Sequence, residues 1–340
     1  MIRAWLGPIP PRARILLLIV LVLLLAAPWF VDTYVLSVLI IVLYVAYMGQ
    51  AWNIMMGFAG LLSIGHALYF GIGAYTGAVL YMNFGVSPWI GMIAGGLLAA
   101  VAGAIIGALG FRFRITGVYF ALLTIAFAEF ARILMDNFAY TGASGGFFIK
   151  LGDPHAFDLW NLRGSPVMFY YLWLAFVIGA LLLCRGLLSS RLGYFWLAIR
   201  EDQEAAQALG INVFRYKMGA VVLSAALTAV GGVIYAFYNN NLFPATTFNV
   251  GRSVEMLLGA TIGGVGTLMG PIVGAFILTP MGEGLTILVQ PLQQGGLHLD
   301  GIKQVFYGLA VIAIVVFQRR GVWPWLARLF HLESRRDDRS

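Results

Sequence analysis

The sequence predicts an all-α polytopic membrane protein, and three observations carry that prediction. Of the 340 residues, 61% are hydrophobic and 10% are charged, and mean hydropathy is +0.89. A soluble domain carries about 25% charged residues. The apolar residues fall in runs near the ~20 residues a span needs, with room for about eight to ten spans. The 42 glycines lie largely inside those runs, where small residues let helices approach closely and mark helix breaks.

Ten spans follow in order: 15–31, 35–56, 60–83, 87–110, 115–136, 167–184, 217–238, 253–269, 271–289 and 302–318. The first run follows Arg12 and Arg14 and resembles a signal peptide. No small-x-small cleavage site follows it, and Pro28-Trp29 suits a membrane interface, so it reads as an uncleaved span. Glycines from Gly57 to Gly65 separate the second and third spans. The stretch 253–289 reads as one long span or two short ones. The loop 137–166 is rich in Gly, Asp, Trp and Pro, and the loop 185–217 is polar and charged. One transmembrane domain therefore covers 1–320. A short basic tail, 321–340, opens with interfacial Trp323 and Trp325.

Charge sets the expected orientation. Net charge is +7, and the basic residues sit beside spans and form no separate domain, which argues against nucleic-acid binding. With the N-terminus in the cytoplasm, only Lys150, Arg163, Arg252 and Lys303 of the 21 Lys and Arg residues fall outside, and Arg132 stays within a span. The other sixteen lie inside, as cytoplasmic loops require. Both termini are then cytoplasmic. The single Cys184 excludes an internal disulfide.

Familiar catalytic chemistry is missing. None of the three lysines follows a glycine, so the chain has no P-loop. His-Glu-x-x-His, Cys-x-x-Cys and Gly-x-Ser-x-Gly are absent, so neither a metal site nor a nucleophile elbow is expected. The chain does not read as an enzyme.

The loop 185–217 carries a different signal. Ala198 to Leu209 contains good helix formers without Gly or Pro, and Gly210 supplies a stop. Such a helix presents Arg200, Glu201, Asp202 and Glu204 to the cytoplasm. It reads as a plug for a soluble motor or as a solvated amphipathic connector.

Two glycine-broken segments, Gly57 to Tyr75 and Gly259 to Pro271, fall in opposite halves of the chain. Paired interrupted spans point to an internal repeat with a substrate pathway between its halves; close helix packing alone is the other reading.

Four blocks together resemble one family. They are Glu204-Ala205-Ala206-x-x-x-Gly210, Asn53 to Tyr75, Thr116 to Glu129, and Gly259 to Gly274. The chain is similar to permeases of branched-chain amino acid ABC importers, specifically the M-type membrane subunit, over about residues 50 to 275. Thr141-Gly-Ala-Ser144-Gly145-Gly146 resembles the family's outside Thr-Gly-Gly-x-x-Gly, with Ala143 replacing a glycine. The last span ends in Gln318-Arg-Arg-Gly321 where the family often has Pro-x-Gly.

The resemblance implies a fold like the vitamin-importer class of ABC permeases. It also implies a second membrane subunit, two cytoplasmic ATPases and a periplasmic binding protein. This chain needs no cofactor; ATP and Mg belong to the partners. It places ATPase docking on Arg200, Glu201, Asp202, Glu204, Ala205, Ala206 and Gly210. Relatives carry urea and short amides as well as amino acids.

Charged groups inside spans are costly and often functional. Glu129 lies about 14 residues, or ~21 Å, from the cytoplasmic end of its span. Glu255 and Glu283 also fall in the outer part of theirs. These acids line an outward vestibule for a zwitterionic solute, or they form local pairs, Glu129 with Arg132 and Glu255 with Arg252. Glu283 has no base beside it in the sequence. Ser63, His66, Tyr69, Tyr119 and Thr124 line the pathway or stabilise the break and pack. Gln50 and Asn53 suit interhelical hydrogen bonds. The rival to a motor-driven permease is an ion-coupled transporter in which Glu129, Glu255 or Glu283 carries the ion.

Overall fold

A computed structural model describes residues 11–150, 158–294 and 321–329, with positions 305, 306, 308, 309 and 312. The chain forms α1 (Pro11–Phe30), α2 (Thr33–Asn53), α3 (His66–Phe84), α4 (Pro88–Arg112), α5 (Val118–Asp136) and α6 (Pro166–Leu188). Then come α7 (Arg191–Glu201), α8 (Gln203–Ala208), α9 (Val213–Asn239) and α10 (Pro244–Thr247). The last are α11 (Val250–Gly263), α12 (Gly270–Gln294) and α13 (Val322–Leu329). A π-helical turn, Ile54–Phe58, continues α2. Strands β1 (Phe147–Phe148) and β2 (Asn241–Leu242) pair antiparallel, Phe147 opposite Leu242.

Among the described residues, 6 helices are long and apolar enough to cross a membrane: Thr33–Phe58, Pro88–Arg112, Val118–Asp136, Pro166–Leu188, Val213–Asn239 and Gly270–Ile287. The architecture is that of an all-α, multi-span protein. The span expected at 15–31 is present as the shorter apolar helix Ile15–Phe30. The span expected at 60–83 starts as non-helical chain and becomes helical only at His66. The span expected at 302–318 lies outside the described residues apart from isolated positions.

Local chemistry fixes the helix ends. Asp32 accepts from the Val35 amide at 2.8 Å, and Asn212 from that of Arg215 at 3.1 Å. These side chains satisfy donors that a helix start leaves open. Proline opens α4 and α6, where its missing N–H costs nothing.

The interior is built from α2, α3, α4 and α9. Glycines set the spacing. A Cβ at Gly73 would lie 2.0 Å from the Ala229 carbonyl oxygen, and one at Gly232 2.2 Å from that of Phe70. Such contacts bring α3 and α9 backbone to backbone, the way apolar helices associate without a hydrophobic driving force. Helix α2 is the most enclosed span and α5 the least.

The stretch 253–289 forms two helices. They run antiparallel: a Cβ at Gly263 would sit 1.6 Å from Gly270 O, and one at Gly274 1.8 Å from Gly259 O. At 14 residues, or ~21 Å of rise, α11 is shorter than the bilayer core.

The expected helix 198–209 is not continuous. It breaks at Asp202, whose backbone is extended (φ −151°, ψ 108°). The Asp202 carboxylate accepts from the amides of Glu204 and Ala205, each at 2.9 Å. Aspartate offers its own chain this bond in place of helix continuation. The loop therefore folds as α7, a corner, and α8.

Candidate functional site

The α7–α8 corner is anchored underneath and open above. Trp196 is buried and donates from Nε1 to Tyr216 O at 2.8 Å. Ile199 and Ala206 are buried, and Lys217 Nζ bonds Gln203 Oε1. Gly210 closes α8 at φ +84°. Its amide bonds Gln207 O at 3.0 Å while the Ile211 amide bonds Ala206 O at 3.1 Å. That paired ending requires a left-handed residue, which glycine adopts freely. Glu201, Asp202, Glu204, Ala205 and Gly210 are exposed, and Leu209 is 83% exposed. A rigid corner with an acidic and apolar outer face suits a protein partner.

Arg200 departs from the expected arrangement. It does not simply face solvent. Its Nη1 donates to Gly57 O at 2.6 Å, and its Nη2 to Glu201 Oε1 at 2.8 Å. The guanidinium lies so close to the α11–α12 turn that a Cβ at Gly266 would meet Nη1 at 2.6 Å. The π-helical turn exposes the Gly57 carbonyl by interrupting the regular ladder.

The same point joins the two glycine breaks. Asn53 Oδ1 accepts from the Gly266 amide at 2.8 Å, and Asn53 Nδ2 donates to Thr267 O at 2.9 Å. Gln50 Nε2 donates to Leu268 O at 2.6 Å. Both amides thus bond the turn between α11 and α12 where bonds to another helix were expected. A Cβ at Gly57 would lie 2.7 Å from Gly266 N, and one at Gly321 2.4 Å from Gly264 Cα. Loop, first break, second break and the start of α13 therefore converge on Arg200, Gly57 and Gly264–Leu268. Sequence reasoning missed this convergence. The only signal was the recurrence of glycine in the two breaks and just before α13.

Four of the expected pathway residues meet, but inside the protein. Ser63, His66, Tyr69 and Thr124 are buried. His66 Nδ1 lies 3.1 Å from Ser63 Oγ, and Nε2 lies 2.9 Å from Ser224 Oγ. Ser224 Oγ donates to Ala51 O at 2.7 Å. Its lone pair is then open to a proton on Nε2, which leaves Nδ1 to accept from Ser63. Thr124 Oγ1 accepts from the Ile64 amide at 3.2 Å, and Ser253 Oγ from that of Ala67 at 2.8 Å. Tyr69 meets the His66 ring edge-on at 5.5 Å. These bonds satisfy polar groups of the non-helical chain before α3 and of its first turn, as buried polar groups require. The hydroxyls of Ser224 and Ser253, each inside an apolar helix, were the missed members of the network.

The remaining expected residues are elsewhere. Tyr119 is 75% exposed at the start of α5. Glu129 pairs with Arg132 at 2.6 Å, and Arg132 with Asp136 at 2.6 Å. All three line an incompletely covered face of α5. Glu255 lies 3.4 Å from Arg252. Glu255 and Glu283 line one cavity together with Arg252. Among the described residues, no cluster of His, Cys, Asp and Glu could hold a metal ion.

A family described as "Branched-chain amino acid transport system / permease component" matches residues 34–316. The chain belongs to this permease family. The high-affinity branched-chain amino acid transport system permease protein LivM of Escherichia coli K12 is 30% identical over 289 residues, 78% of this chain and 67% of its own. The LivH permease protein of the same strain is 26% identical, covering 68% of this chain and 79% of its own. The autoinducer 2 import system permease protein LsrC of an Enterobacter strain is 30% identical over 62% of this chain and 60% of its own. No solved structure matches. The match to the family spans α2 through α12, including both glycine breaks and the α7–α8 corner.

Proposed function

We propose that this permease is one membrane subunit of an ATP-driven importer for branched-chain or related amino acids, delivered by a periplasmic binding protein. The observation that carries the reading is the α7–α8 corner, which joins an exposed docking face to the turn between α11 and α12 through Arg200. Glu204, Ala205 and Leu209 contact a separate ATPase, which holds ATP and Mg. Movement of the corner acts on Gly57 and Gly266, and the spans alternate access. A motor can drive that change only through contacts that differ between states.

In this proposal the chain has ten spans in a vitamin-importer-like fold, both termini in the cytoplasm, within an inner membrane. The excess of basic residues near the docking corner supports that orientation. The face of α5 bearing Glu129, Arg132 and Asp136 packs on the second membrane subunit, because lipid is a poor neighbour for three charges.

Co-purification tests the reading. ATPase subunits are captured with the wild-type chain and lost with Glu204→Arg, while both chains fold normally. A well-folded wild type that captures no ATPase, with uptake that collapses with the ion gradient while ATP persists, replaces this reading with the ion-coupled transporter.

A further inference from the structure

Away from the docking corner, α2, α6, α9, α11 and α12 line a partly open cavity of about 250 Å³. It lies within a single copy of the chain. Drug-sized pockets run to about 300–1,000 Å³, so this one suits a small solute.

Its chemistry is divided. Arg252, Glu255 and Glu283 supply charge, and Tyr44 and Tyr235 supply hydroxyls. Ile40, Ile41, Val45 and Leu278 supply an aliphatic wall. Arg252 is held in place: Nη2 donates to Tyr235 Oη at 2.9 Å, and the guanidinium lies 4.8 Å from the Tyr235 ring centre. The Tyr44 hydroxyl is buried beside Arg252 and makes no hydrogen bond of ordinary length. An unpaired buried hydroxyl costs stability, so a ligand that bonds it is favoured.

We infer that this cavity is a binding site for one zwitterionic aliphatic amino acid inside the subunit. The ligand carboxylate meets Arg252 and Tyr44, its ammonium meets Glu255 and Glu283, and its side chain lies along Ile40, Val45 and Leu278. The solute class rests on the importer reading above; the site itself rests on the cavity.

The test uses the assembled transporter in nanodiscs, without binding protein or nucleotide, and labelled L-leucine. Saturable binding is expected. Unlabelled leucine competes, whereas leucinamide, lacking the carboxylate, and 4-methylpentanoate, lacking the ammonium, do not. Tyr44→Phe keeps the ring and weakens binding about three- to tenfold, the worth of one net hydrogen bond. Arg252→Lys weakens it further by losing the planar donor set. Absence of saturable binding, competition by either analogue as strong as that of leucine, or unchanged affinity in Tyr44→Phe overturns the site. ATP-driven leucine uptake, measured separately with the binding protein, decides the importer reading: uptake without cavity binding sinks the site alone, and loss of both sinks the reading as well.

Discussion

Arg200 Nη1 donates to the carbonyl of Gly57 at 2.6 Å, across 143 residues of sequence. This bond ties the α7–α8 corner to the broken end of α2. Charge-assisted bonds of this kind are worth about 1.5–3 kcal/mol. Arg200→Met is expected to leave ATPase capture intact and to lower leucine uptake at least tenfold, with ATP hydrolysis continuing. Parallel uptake and hydrolysis measurements in proteoliposomes check this. Hydrolysis and uptake falling together would show that Arg200 serves docking only.

Leu209 tests the docking face without touching the interior. It is 83% exposed, so Leu209→Glu should leave thermal stability within about 0.5 kcal/mol, as for ordinary surface substitutions. It should weaken ATPase capture at least tenfold. Unchanged capture would place the contact elsewhere on the loop.

The α11–α12 hairpin depends on glycine. Gly274→Ala drives a Cβ to within 1.8 Å of a backbone oxygen. The backbone must shift, and the expected loss of stability exceeds about 3 kcal/mol, beyond the usual cost of overpacking. Gly179, on α6, has nothing within 4 Å of its added Cβ, and Gly179→Ala should be tolerated. Thermal unfolding of both variants in detergent makes the comparison.

His66 is expected to be structural. Ser224→Ala removes the acceptor for Nε2 and leaves a buried N–H unpaired, at about 1–3 kcal/mol. Stability should fall while uptake per folded molecule stays near wild type. Full stability with lost uptake would return His66 to the pathway.

Arg132 serves two carboxylates, Glu129 and Asp136. Arg132→Leu should therefore disturb the α5 face more than Glu129→Gln. The expected readout is reduced retention of the second membrane subunit on size-exclusion chromatography, stronger for Arg132→Leu. Equal retention in both variants would mean that this face is not the subunit contact.

Composition and local pattern alone determined much of this protein. Apolar runs of span length predicted membrane helices, because a bilayer leaves the backbone few other choices. Glycine recurrence marked where helices break, and Glu204-Ala205-Ala206 followed by Gly210 marked a helix and its stop in the loop, though not the corner at Asp202. Nearest neighbours in sequence also gave the pairs Glu129–Arg132 and Glu255–Arg252, since residues three apart share a helix face. Tertiary structure decided the rest. It tied the exposed Arg200 back to Gly57, gathered Ser63, His66 and Thr124 into a buried network with Ser224, and brought Arg252, Glu255 and Glu283 around one cavity. Each of these depends on which helices touch. Between apolar helices in lipid, that choice rests on close backbone packing at scattered glycines, and no local sequence pattern encodes it.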